Sequence, residues 1–307
     1  MHRIHQYDDT NRNNIDRSFL YAIEFIFDRE HVEDTNNGER KMEPMRISMV
    51  CMRSIVGDID NNSKRMLELI DQLSSEGSDL ICFPELSLTG YSSQSSTRYA
   101  MSLDDPAIKR IVKTTEDKEI IVCFGFVEKG PYITQLIAEN GKICGTYRKT
   151  HLGEREQGAF LPGSSFPVIR TSKANIGIQT CWESHFPQIT AKYAIEGADL
   201  VLMPHASGLS GERRRNTWNK ILPARAYDNT LFVASCNMTG DNGEGTVFGG
   251  GSCIIDERGN ILAEDYSGEC VVSADLDPKN MDRVRSSGYE TMRDLCFIDK
   301  VRWELFR

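Results

Sequence analysis

The chain has 307 residues, 39% hydrophobic and 26% charged, with a formal net charge of −9 at pH 7. An ordinary globular composition of this length accommodates one large domain or two small ones. The acidic balance argues against nucleic acid or an anionic membrane as partner, and no apolar run approaches the roughly 18 residues of a transmembrane helix.

In chain order, residues 1–44 read as an N-terminal extension, partly disordered and outside the main domain. They are rich in Asn, Asp, Arg and Glu, and only residues 18–29 offer an amphipathic helix. The most apolar run, Phe19 to Phe27, is broken by Glu24, so the basic-then-apolar layout of a signal peptide is not expected. A role in assembly and no role at all are equally open for this segment. A regular pattern starts at Met45, and the domain is expected over 45–307.

"RISMVCM" (46–52) reads as a strand, and residues 62–75 carry apolar Met66, Leu67, Leu69, Ile70 and Leu73 at helical spacing. "DLICFP" (79–84) is a short buried strand that ends at a proline. Strands are predicted over 119–126, 133–139, 142–149 and 175–180. A helix follows, with Pro187 near its start and Gly197 just past its end. "DLVLMP" (199–204) is the next strand, Trp218 to Asn229 is predicted helical, and strands over 231–237, 250–256 and 260–264 complete the pattern, the last two joined by a turn at 257–259. Strands alternating with helices imply α/β layers. "EGSDLICFPE" (76–85) and "EGADLVLMPH" (196–205) echo each other, which suggests two similar halves.

Nine cysteines are present, none in C-x-x-C spacing, so a structural zinc site is not expected. Eight sit in patterns that read as buried small hydrophobes, and the compartment is taken as reducing, hence cytoplasmic.

Three reactive side chains share one local position: Glu85, Lys149 and Cys181 each follow a predicted strand. Ligands of open α/β sheets bind beyond the carboxyl ends of strands. Each residue also has a bland reading: Cys181 as a core thiol, Glu85 as half of a structural ion pair, Lys149 as part of the charged surface run "YRKTHLGERE". Against that, Cys181 lies at a strand-to-helix turn, which presents a side chain sharply and places amides nearby to bind an oxyanion. His185 is the histidine nearest to Cys181 and a candidate base on the same helical face, but the signatures of papain-type and caspase-type thiol proteases are absent. A Cys–Glu–Lys set is the better reading.

The segments "CFPELSLTGY" (82–91), "YRKTHL" (147–152) and "IGIQTCWESHFPQI" (176–189) resemble, in order and separation, the three signature blocks of the nitrilase superfamily, the carbon–nitrogen hydrolases. The similarity runs from about Met45 to the C-terminus, with "EGADLVLMPHA", "LPARAYDNTLFVASCN" and "GGGSCIIDERGNILAE" in support. The resemblance implies a four-layer α-β-β-α sandwich. It implies Glu85 as general base, Lys149 as oxyanion-stabilising cation and Cys181 as nucleophile. A second glutamate is implied at Glu156, with Glu154 as its rival, and the Trp182 amide is implied in the oxyanion hole. No metal or organic cofactor is required. Family members associate through helices and C-terminal tails, so a homodimer or higher homo-oligomer is expected, and "DKVRWELFR" (299–307) resembles such a tail. The long N-terminal extension departs from the family pattern.

The substrate expected is a small linear amide or N-carbamoyl compound, with a nitrile as runner-up. Tyr91, Phe160, His185 and Trp218 are candidate pocket walls. A Glu85–Glu156 pair for glycoside hydrolysis would not need Cys181, and the aromatic platforms that sugars require are missing. A catalytically silent scaffold on the same fold is the non-enzyme alternative. "GGG" (249–251) lacks the Gly-Lys-Ser/Thr of a phosphate loop and reads as close backbone packing. "ERRR" (212–215) reads as a solvated face, or as a loop that binds a substrate carboxylate if it folds over the site.

Overall fold

A computed structural model describes residues 41–286 and 295–306. Lys41–Asp299 is one compact unit. Residues 300–306 belong to a separate unit and carry a 3-10 turn, Trp303–Phe306. The expected extension helix over 18–29 lies outside the described residues.

Two six-stranded sheets form the interior. The first contains β1 (Met45–Cys51), β2 (Leu80–Cys82), β3 (Ile121–Glu128), β4 (Tyr132–Glu139) and β5 (Lys142–Arg148), with β14 (Cys270–Leu276) outside β1. The second contains β7 (Asn175–Ile178), β8 (Leu200–His205), β9 (Phe232–Asn237), β12 (Ser252–Ile255) and β13 (Ile261–Asp265), with β6 (Ile169–Arg170) outside β7. Between β9 and β12 a separate hairpin forms from β10 (Thr239–Asp241) and β11 (Val247–Gly249). Each sheet opens with three parallel strands, β1-β2-β3 or β7-β8-β9, and continues with two antiparallel ones.

The period-2 alternation of strand side chains explains the layering. Ile47, Met49, Leu80, Cys82, Ile121 and Cys123 point inward and meet Ile176, Ile178, Leu200, Leu202 and Phe232 of the other sheet. Their neighbours Ile81, Phe83, Val122 and Phe124 point outward onto α1 (Ile59–Ser75) and α2 (Pro106–Asp117). On the far side Val201, Met203 and Val233 pack on α3 (Pro187–Ile195) and α4 (Gly211–Asn229). Strands buried on both faces read as unbroken apolar runs, which is how "DLICFP" and "DLVLMP" look in the sequence. The result is the expected four-layer α-β-β-α sandwich with two similar halves.

The echo between the halves has a bonding basis. Asp79 N–H donates to Arg46 O at 2.8 Å and its carboxylate accepts from Arg46 N–H at 2.7 Å. Asp199 repeats both bonds with Asn175, at 2.8 and 2.9 Å. Each aspartate therefore starts the central strand of its half and holds the entry of the preceding strand.

Several elements differ from expectation. α4 begins at Gly211 rather than Trp218, so the basic patch is not a loop but the first turns of a helix capped by Ser210. α1 begins at Ile59, capped by Asp58. α2, β14 and α5 (Lys279–Ser286) occupy stretches for which no element was predicted. All nine cysteines are free, but Cys144 is exposed and Cys270 half-buried, at odds with a core reading of all eight non-nucleophilic thiols. Among the described residues no helix is long and apolar enough to cross a membrane.

Candidate active site

Glu85, Lys149 and Cys181 sit where three strands end. β2 stops at Cys82, and Phe83 N–H still bonds Cys123 O at 2.8 Å before Pro84 ends the ladder. Glu85 follows, and Leu86 takes a left-handed backbone, φ +53°. The turn lies tight on β3: a Cβ at Gly125 would collide with the Leu86 amide and the Gln135 side chain, so glycine is required there. β5 alternates Tyr147 inward, Arg148 outward onto Glu128, and Lys149 inward, with Lys149 N–H on Ile133 O at 2.9 Å. β7 leads into a 3-10 turn, Cys181–His185, and Cys181 has φ +45°. A non-glycine residue held there carries about 1–2 kcal/mol of strain, a pattern that clusters at functional sites.

Lys149 is fully buried between two carboxylates. Its Nζ donates to Glu85 Oε1 at 2.9 Å and to Glu156 Oε1 at 2.8 Å. The other Glu85 oxygen accepts from the Ala206 amide at 3.1 Å. Glu156, 3% exposed, accepts from Tyr91 Oη at 3.0 Å and from Gly153 N–H at 2.7 Å. Glu154 is exposed. Of the two candidate second glutamates, Glu156 alone reaches the lysine. A buried charge survives only when paired in this way.

Burial raises the Glu85 carboxyl to about 7, since Lys149 only partly offsets it and Glu156 adds to it. Burial works against the Lys149 ammonium, but Glu85, Cys181 and Glu156 together hold its pKa well above the ordinary value. The Cys181 thiol is pushed up to about 12, by burial first and by Glu85 second, against Lys149. The resting site thus holds a neutral thiol, a fixed cation, and a carboxylate poised to exchange a proton near neutrality.

Glu183 is a residue that sequence reasoning passed over. It is fully buried and closes a capping box with Thr180. Its Oε2 accepts from Thr180 N–H at 2.9 Å; its Oε1 accepts from Tyr147 Oη at 2.6 Å, Thr150 N–H at 2.9 Å and His151 N–H at 3.0 Å. Burial favours protonation, but bonds from His151 and Tyr147 outweigh it and keep the carboxyl pKa below the usual value. One carboxylate therefore ties the Cys181 turn to the Lys149 strand end. The Thr-x-x-Glu signature in "TCWE" carried that signal.

The remaining candidates separate. Tyr91 and Phe160 lie in one apolar cluster with Leu86 and Ala206, beside Glu85. Trp182 has an exposed side chain, and its amide precedes the first bond of the 3-10 turn, made by Glu183 N–H to Thr180 O. His185 is exposed, its ring 5.5 Å from that of Trp182. The helical face expected to join it to Cys181 does not exist, because the turn is 3-10 and residues four apart diverge. Trp218 is fully buried, its ring 4.9 Å from His205. A glycosidase pair is not supported either: Lys149 Nζ occupies the space between Glu85 and Glu156. Among the described residues no cluster of His, Cys, Asp and Glu is arranged to hold a metal.

Comparison with known proteins fits this geometry. The family model described as carbon–nitrogen hydrolase matches residues 46–286. A probable nitrilase of Schizosaccharomyces pombe is 28% identical over 260 residues, covering 81% of this chain and 94% of its own. A citrullinase of Francisella tularensis is 30% identical over 243 residues, covering 71% of this chain and 85% of its own. A solved variant of the amidase from Nesterenkonia sp. AN1, with the acetamide moiety of fluoroacetamide added covalently at the active-site cysteine, superposes with a TM-score of 0.72 at 25% identity, covering 87% of this chain and 97% of that one. The chain belongs to the carbon–nitrogen hydrolase family and is an enzyme of that class.

Proposed function

We propose that the protein hydrolyses the carbon–nitrogen bond of a small linear amide or N-carbamoyl compound through a thioester at Cys181. The observation that carries this reading is the buried Glu85–Lys149–Glu156 cluster acting on a strained strand-end cysteine. Glu85 takes the Sγ proton, and the thiolate adds to the carbonyl carbon. Lys149 and the Trp182 amide receive the charge that develops on oxygen, an effect worth about 3–4 kcal/mol per donor. The carbon–nitrogen bond breaks as Glu85 returns the proton to nitrogen, leaving a thioester and ammonia or an amine. Glu85 then deprotonates a water that attacks the thioester, and the departing Cys181 sulfur regains its proton. Glu156 holds Lys149 in place from the side opposite Glu85.

A nitrile substrate would enter by the same thiolate addition and is the second reading, supported by the similarity to a probable nitrilase. The test is ammonia release from a panel of amides, N-carbamoyl compounds and nitriles, with Cys181→Ala in parallel. Release that vanishes in the variant supports the thioester route; equal release from both proteins overturns it.

We further propose a cytoplasmic homodimer or higher homo-oligomer, with residues 1–44 as an extension to a domain over 45–307. The free cysteines and the exposed apolar Tyr227, Ile261 and Leu262 support this. Light scattering of the full chain checks it, and a monomer at micromolar concentration contradicts it.

A further inference from the structure

The arginine run in α4 splits by environment. Arg213 and Arg215 are exposed, and Arg215 pairs with Glu264. Arg214 is only 4% exposed, yet among the described residues its Nε and Nη2 have no hydrogen-bond partner and no carboxylate forms an ion pair with it. Leaving a buried guanidinium unpaired is costly, and natural folds answer that cost with a partner. Those two nitrogens form one of the guanidinium edges that offer two parallel N–H bonds, a fork that matches a carboxylate.

The surroundings are built around this side chain. Gly251 has φ +116°, and a Cβ there would stand 3.2 Å from Arg214 Cγ and 2.8 Å from the Tyr266 ring. The Arg214 Cζ lies 5.2 Å from the Trp218 ring centroid, within range of a cation–π contact. Trp218 Nε1 is likewise buried without a partner. Beyond Trp218 stands His205, whose Nδ1 lies 2.8 Å from the Met203 carbonyl and so carries the proton, leaving Nε2 as an unpartnered acceptor. The next residue, Ala206, donates to Glu85. This wall therefore runs without a break from Arg214 to the Glu85 carboxylate. Arg214 is also close enough to Cys181 to lower its thiol pKa, although burial and Glu85 dominate there.

We propose that Arg214 is a specificity residue that binds a carboxylate on the substrate, so that the enzyme acts on amides or N-carbamoyl compounds bearing a carboxylate at their far end. The proposal rests on the amide-hydrolase reading above. The geometry favours an anion at this wall because the Arg214 guanidinium faces it with Nε and Nη2 unmet, whereas Glu85, Glu156 and Glu183 set three carboxylates against Lys149 around the reacting atoms and would repel one there. Without Arg214 an anionic substrate meets net repulsion.

The test compares matched pairs: succinamate with butyramide, and N-carbamoyl-β-alanine with N-propylurea, each on the native enzyme, Arg214→Met and Arg214→Lys. The native enzyme is expected to prefer the carboxylate member of at least one pair by about 100-fold in kcat/KM, the scale of a hydrogen-bonded buried charge. Arg214→Met removes that preference, mainly through KM, and costs the carboxylate member at least about 30-fold more than the neutral one; Arg214→Lys restores part of it, because a point charge lacks the fork. Which pair shows the preference separates the two substrate chemistries. Native turnover of butyramide or N-propylurea with no carboxylate preference overturns this assignment and leaves the hydrolase reading intact. Equal loss on both members in a folded Arg214→Met, judged by circular dichroism, reassigns Arg214 to structural support. No ammonia release from any amide overturns the hydrolase reading itself, and this proposal with it.

Discussion

On the proposed mechanism Glu85 is the residue on which the chemistry turns, because its carboxyl both accepts and returns a proton. Burial raises it to about 7, with Lys149 pulling down and Glu156 pushing up. The working form is the carboxylate, so kcat/KM should fall as pH drops through about 7. Removing the Glu156 charge removes a contribution that raises this pKa. Glu156→Gln is therefore expected to move the acid limb to lower pH, while slowing turnover because Lys149 loses a partner. A pH–rate profile of both proteins checks this, and an unmoved limb would mean that another group controls it. The three central residues were legible because each follows an apolar strand. Arg214 was misplaced for an equally physical reason: α4 begins with a charged run in which only Arg214 and Trp218 of the first two turns turn inward, so no apolar stripe announces the helix.

Among elements, the Cys181–His185 turn depends most on one side chain. Glu183→Ala would leave the Thr150 and His151 amides and the Tyr147 hydroxyl without their common acceptor. Buried donors left unmet cost about 1–3 kcal/mol each, so a loss of at least about 3 kcal/mol in chemical denaturation is expected. A fall in kcat larger than the rise in KM should accompany it, since the nucleophile and the lysine shift relative to each other. Unchanged kcat would show that strand ends alone position them. Element recognition was uneven for a related reason. α2 starts with Asp105 capping Pro106, a clear start signal, but it sits in a polar stretch with few large apolar residues and went unpredicted. β14 lies on the rim of its sheet, partly exposed, and lacks the unbroken apolar run that marked the central strands.

Across the whole molecule, the two halves use the same scaffold for different ends. The residue that follows the central strand is Glu85 after "LICFP" in one half, whereas His205 ends the matching segment "LVLMPH" in the other. One half places a buried carboxylate at that position; the other places His205 against Trp218. The shared Asp79 and Asp199 differ in surroundings. Asp79 pairs with Lys173 at 2.8 Å where both side chains are about 30% exposed, while Asp199, 7% exposed, pairs with Arg285 of α5 at 2.9 Å. Asp199→Ala should cost about 2–3 kcal/mol and Asp79→Ala about 1, because the Asp199 carboxylate is itself buried while Asp79 is open to water, the two partner cations being similarly exposed. Equal losses by denaturant titration would contradict that ranking. The echo between the halves was visible as a short repeated string; its bonding role was not, because a side chain that caps a distant strand leaves no local periodicity.

The high pKa of the Cys181 thiol, about 12, also bears on how the protein survives reactive surroundings. Electrophiles and peroxides attack thiolates, and their selectivity follows thiolate character. If Cys181 is the nucleophile proposed above, a thiol that stays protonated until substrate binds is a poor target for indiscriminate alkylation or oxidation, although the residue is only half-buried. The exposed Cys144, whose pKa burial and Glu139 also raise, is sheltered in the same way. Chemical inertness at rest thus comes first from desolvation of the sulfur and second from the Glu85 charge, with Lys149 pulling the other way.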